Sequence, residues 1–135
     1  MIVKVYLATV GLLYLGLAVW CSLDPIATSQ AVGFQLSGPS GQSEFLTVYG
    51  GLEFGLALIF LLPLVDRQAD RFSLLACLLV HACLVGFRTL SFVLFDAPAR
   101  MTYQLAFGEW VILLSSIALW LITKRQRIST TQPAE

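Results

Sequence analysis

Residues 71–95 read RFSLLACLLVHACLVGFRTLSFVLF. After Arg71 this run holds no acid and only two basic side chains, His81 and Arg88. It is long enough to cross ~30 Å of hydrocarbon as a helix, which takes about 20 apolar residues. Arg88 therefore falls at bilayer depth, where an ionised side chain costs about 2.5–3.5 kcal/mol on insertion scales. Such a residue faces a partner inside a bundle rather than lipid. This one stretch predicts both a membrane helix and a search for the acid opposite Arg88.

Outward from it, three more apolar segments have the same character. Segment one spans about 2–23, segment two 44–65, segment three 71–95 and segment four 99–123. The whole chain is 58% hydrophobic and 12% charged, against roughly 25% charged in a soluble domain. Short polar connections make neighbouring helices antiparallel. The expected fold is all-α, an antiparallel four-helix transmembrane bundle in one domain over 1–127. Asp24-Pro25 reads as an N-cap with proline at the first helical position, so Pro25 to Val32 is expected to form a short interfacial helix between helices 1 and 2. Gly38-Pro39-Ser40-Gly41 reads as a turn that ends this connection. Residues 128–135 read as a disordered cytoplasmic tail.

Trp20 occupies the position where signal cleavage wants a small residue, so the first segment reads as a retained helix. Lys4, Arg67, Arg71, Lys124, Arg125 and Arg127 fall at one end of the bundle, and Arg100 at the other. The positive-inside rule then places both termini in the cytoplasm. Net charge is zero, which offers no basic patch for nucleic acid. The expected surroundings are the lipid bilayer, with a small-molecule ligand, a second copy or a membrane partner protein as further partners.

The acids opposite Arg88 are Glu53 and Glu109. At ~1.5 Å rise per residue, Glu53 lies ~13 Å below the outer start of its segment, Glu109 ~15 Å and Arg88 ~10 Å. On segment four Thr102, Glu109, Ser116 and Thr123 recur at a seven-residue spacing, a polar stripe for the bundle interior. Cys77, His81 and Arg88 share a stripe on segment three, and Tyr49 shares a face with Glu53. The expected ligand-binding or proton-handling set is Arg88, Glu109, Glu53, His81 and Tyr49. One arginine and two glutamates leave an excess negative charge, which a proton on one Glu, a protonated His81 or a bound cation would cancel. Buried Arg–Glu pairs also simply fix helix order, which is the competing structural reading.

Gly50, Gly51 and Gly55 are expected to serve helix packing, Gly51 and Gly55 as a GxxxG pair on the face away from Glu53. Tyr6, Tyr14, Trp110 and Trp120 read as ordinary membrane aromatics. Cys21, Cys77 and Cys83 lack CxxC spacing and read as apolar fillers. Cys77 and His81 would supply two metal ligands with no third, so no metal is expected. There is no phosphate loop, haem motif or Ser/His/Asp set; no cofactor is expected, and a membrane enzyme using Glu53 or Glu109 as acid/base is the least favoured of the readings.

The run Glu44-Phe45-Leu46-Thr47-Val48-Tyr49-Gly50-Gly51-Leu52-Glu53-Phe54-Gly55, with Gly86-Phe87-Arg88 and Glu109, resembles a family of small bacterial four-helix membrane proteins known as a domain of unknown function. That family carries Glu-Phe-Arg-x-x-Tyr-Gly-Gly before a glycine-rich second helix, an Arg ending the third helix and a Glu in the fourth. Leu46 stands where the family has its Arg, and Glu53 is an extra carboxylate. More loosely the architecture resembles DoxX-type four-helix membrane proteins. The resemblance implies a multi-pass protein of the bacterial inner membrane and no particular chemistry.

Overall fold

The computed structural model describes residues 1–96 and 100–131, with side chains described as far as Gln126. The described residues form an all-α bundle with no strand. Helix α1 is Ile2–Leu23 and the short α2 is Pro25–Ala31. The second long helix is built in pieces: α3 (Gly38–Phe45), a π-helical stretch Leu46–Leu52, α4 (Glu53–Leu61) and a 3₁₀ turn Leu62–Leu64. A second 3₁₀ turn, Arg67–Ala69, leads into α5 (Asp70–Leu94), and α6 covers Arg100–Thr131. Four helical stretches, Ile2–Leu23, Gly38–Leu64, Arg67–Leu94 and Arg100–Gln126, have mean hydropathy near 2 and are long enough to cross a membrane. That is the make-up of a multi-pass membrane protein.

Two expected boundaries differ. Gly38-Pro39-Ser40-Gly41 is not a turn but the first turn of α3, with Ser37 at the N-cap position. Proline lacks only an N–H that has no partner in a first helical turn anyway, so Pro39 starts this helix rather than breaking the chain. At the other end α6 runs past Thr123 to Thr131, into the segment read as a tail. Residues 132–135, and the start of segment four at Ala99, lie outside the described residues.

The connection Pro25–Ala31 is helical as expected. The Asp24 side chain accepts from the Ala27 N–H at 3.0 Å, closing the first turn. Gly33, at φ 89°, closes the end: the left-handed conformation lets the Phe34 N–H reach the Ser29 carbonyl at 2.8 Å. Thr28 and Ser29 point into the protein and are buried, while Ile26 is half exposed.

Helix α1 packs chiefly on the second span and α5 chiefly on α6. Leu7, Val10, Tyr14, Ala57, Phe60, Leu74 and Cys77 form the core between them. Close approach needs small residues. A Cβ on Gly11 would stand 2.7 Å from Leu61 Cγ and 3.3 Å from the Ala57 carbonyl oxygen. One on Gly50 would stand 2.7 Å from Ser22 Oγ. Gly50 is thus a packing glycine, as expected. Gly51 and Gly55 are not packing glycines within this chain: a Cβ on either meets nothing within 4 Å. Gly50 and Gly51 lie inside the π-helical stretch and Gly55 beyond it, and in that register the contact falls on Gly50.

Pro63 has a consequence one helix away. Without its N–H the Ile59 carbonyl loses its intrahelical partner. Ser73 Oγ of α5 donates to that carbonyl at 2.7 Å. Lys4 Nζ donates to the Pro63 carbonyl at 2.9 Å and pairs with Asp70 at 3.4 Å, pinning the start of α1 to the same corner.

Candidate functional site

Arg88 lies on α5 three helical residues beyond Val85, which is buried, and turns its guanidinium toward α6. Its Nε donates to Glu109 Oε2 at 3.0 Å and its Nη2 to Glu109 Oε1 at 2.6 Å. This is a fork-to-fork pair, the strongest geometry available to a carboxylate. The side chains retain 28% exposure for Arg88 and 13% for Glu109. The two helices that carry them are chain neighbours and pack closely, so the pair is also a register mark between α5 and α6.

Glu53 stands differently. It is the first residue of α4, directly after the π-helical stretch. Its Oε2 is buried and has no hydrogen-bond partner. Arg88 pairs with Glu109, and no ion pair joins Glu53 to Arg88. The expected three-charge cluster is therefore a neutral pair with a separate carboxyl. Tyr49 precedes Glu53 by four residues on the same span. Its ring stacks on Phe45 with centroids 4.5 Å apart and leans on Phe34 at 5.8 Å.

His81 belongs to a second set of contacts. Its Nδ1 lies 2.8 Å from the Cys77 carbonyl, which only accepts, so Nδ1 carries the proton. Nε2 is then the acceptor and takes the Tyr14 O–H at 3.2 Å. Both ring nitrogens are satisfied in the neutral form, and the ring is fully buried. Tyr14 meets His81 edge-on at 5.7 Å and Phe60 at 5.3 Å.

Below it, Tyr6 donates its O–H to the Ile112 carbonyl at 2.8 Å, and its oxygen lies 2.7 Å from Ser116 Oγ. The Tyr6 proton being spent on Ile112, Ser116 donates to the Tyr6 oxygen, and its Oγ also lies 3.5 Å from Cys77 Sγ. Tyr14, His81, Cys77, Ser116 and Tyr6 thus form a continuous neutral polar path through α1, α5 and α6. The two tyrosines are part of it and not mere membrane aromatics. A phenol on the inward face of an apolar helix, Tyr6 and Tyr14 one turn either side of buried Val10, was the signal available for them. Among the described residues no three potential metal ligands come together, and Cys77 with His81 remains a pair.

The family model for a domain of unknown function, DUF4345, matches residues 2–122. The chain belongs to that family. The DUF4345 match spans all four long helices, so the Arg88–Glu109 pair, Glu53 and the Tyr14–His81 contact all lie within the family domain. No curated protein and no solved structure matches the chain.

Proposed function

We propose that this protein is a small integral membrane protein that binds or moves a small lipophilic or ionic molecule, with Glu53 as the reacting carboxyl and Arg88–Glu109 as its fixed wall. The observation that carries this reading is the buried Glu53 oxygen with no partner. A buried carboxylate without a donor costs several kcal/mol, so it holds a proton or awaits a cation or a donor group. Tyr49, stacked on Phe45 and tilted against Phe34, puts an aromatic cluster four residues before Glu53 on the same span. The orientation follows from the Lys/Arg asymmetry: both termini lie in the cytoplasm and the loop between α1 and α3 lies outside, in a bacterial inner membrane.

The test is native mass spectrometry of the full chain released from its host membrane. The expected result is a small bound species that is retained by the native protein and lost from Glu53→Gln while the fold survives. If neither protein carries a bound species and the variant matches the native phenotype, the reading fails. The orientation is checked by single cysteines, Ser37→Cys and Gln68→Cys in a cysteine-free background. Ser37→Cys should label from outside intact cells, and Gln68→Cys only after permeabilisation.

A second reading has its own observation. Arg88 spends its Nε and Nη2 donors on Glu109. A pair so complete supports an accessory subunit of a membrane complex, in which the charges only fix helix order.

A further inference from the structure

At the end of the bundle opposite Glu53, the turns before α5 and the last turns of α6 enclose a cleft of about 1210 Å³. Its rim carries Arg67, Arg71 and Lys124, and its wall is apolar, with Leu74, Leu119 and Trp120. We propose that this cleft binds one anionic phospholipid, with the phosphodiester among the three cations and an acyl chain along the apolar wall.

Charge is the first argument. Asp70 is the one acid lining the cleft, and Lys4 already pairs with it at 3.4 Å. Arg67, Arg71 and Lys124 are exposed, and no carboxylate among the described residues forms an ion pair with them. Three cations therefore line the cleft without an ion pair to any described carboxylate. Like charges held together repel, and an anion between them removes that cost.

Shape is the second. The Arg71 guanidinium lies over the Trp120 ring, 5.3 Å from its centroid. Stacking fixes the plane of the guanidinium and leaves its N–H edge for a phosphate oxygen. Trp120 belongs to the level where a helix leaves the hydrocarbon, the depth of a lipid phosphate.

The third argument selects lipid over a free anion. The cations sit at the ends of apolar spans, and the cleft continues from them past Trp120 and Leu119 to buried Leu74. A soluble phosphate would leave that apolar wall unused, whereas a lipid fills both halves. Basic pockets between membrane helices on the cytoplasmic side take anionic head groups by the same physics. The other end carries no such cluster: residues 24–43 contain no Lys or Arg, and Arg100 stands there as a single cation.

The experiment places the full chain in phosphatidylcholine nanodiscs doped with phosphatidylglycerol and counts retained lipid by native mass spectrometry. One phosphatidylglycerol per chain is expected to persist in preference to phosphatidylcholine. The triple variant Arg67→Gln, Arg71→Gln, Lys124→Gln should lose that preference, with affinity down roughly a hundredfold. These side chains are exposed, and the single variant Lys124→Gln, with a loss of about fivefold, covers the case where the triple variant is not recovered. Soluble glycerol phosphate should not displace the lipid. Equal retention of both lipids, an unchanged triple variant, or displacement by glycerol phosphate would each overturn the proposal. None of these results bears on Glu53, which lies at the other end of the spans.

Discussion

In the proposed orientation, the outward and inward halves of this bundle handle buried polarity in opposite ways. The inward half is neutral: Tyr6, Ser116, Cys77, His81 and Tyr14 pass hydrogen bonds from one to the next, and both His81 nitrogens are matched. The outward half is charged: Arg88 and Glu109 cancel each other, and Glu53 has no counterpart. A closed neutral network has nothing left to bind. A carboxyl without a partner does, which is why function is sought in the outward half although the inward half holds the more continuous network.

The largest effect expected from breaking this contrast is at Arg88. Arg88→Leu leaves Glu109 without its cation and should cost about 3–5 kcal/mol, whereas Arg88→Leu with Glu109→Leu together should be far milder. Unfolding of all four members of the cycle in a bilayer or detergent gives the coupling, and additive losses would remove the pair as a unit.

Next in size is the inward network. Tyr14→Phe removes the donor to His81 Nε2 at a cost of about 0.6–1.7 kcal/mol, the range for hydrogen bonds between membrane helices. His81→Leu removes both ring contacts at once, and combining it with Tyr14→Phe should add little. If the two losses add in full, the inward half is not a connected network.

The smallest stability change is expected at Glu53. Glu53→Gln breaks no hydrogen bond and removes a carboxyl that has no partner, so unfolding should move by less than about 0.5 kcal/mol, or toward greater stability. A loss above about 2 kcal/mol would mean that Glu53 has a structural partner, and the two halves would then be alike. Gly51→Ala should be equally silent in the monomer because its Cβ meets open space. Gly11→Leu should not: it drives into Leu61 at a cost of about 1–3 kcal/mol.

The four spans, the helix at Pro25 and the Arg88–Glu109 pairing were legible in the sequence. Composition fixes the first, capping chemistry the second, and depth along α5 and α6 the third. Those two helices are regular across the site, so counting residues places both side chains correctly. Glu53 was legible in depth but not in direction, because the π-helical stretch before it displaces every later residue around the axis. The same displacement puts the tight contact at Gly50 and leaves Gly51 and Gly55 open. Tyr14 and His81 were not legible as partners: they lie on different helices, and apolar periodicity carries no information on which phenol finds which imidazole. The helical start at Gly38 was hidden by a proline that is equally at home in a turn and in a first helical turn.

The π-helical stretch Leu46–Leu52 acts as a phase shifter for the rest of its span. An α-helix advances about 100° per residue, so one residue more or fewer rotates everything beyond it by that angle. Converting 46–52 to the ordinary α repeat with every residue kept would swing Glu53 about a quarter turn around the helix axis, with no change in composition or hydropathy. For this protein the aim of its unpaired carboxyl is thus set by a count of residues in one wide turn, and not by any contact the carboxyl makes.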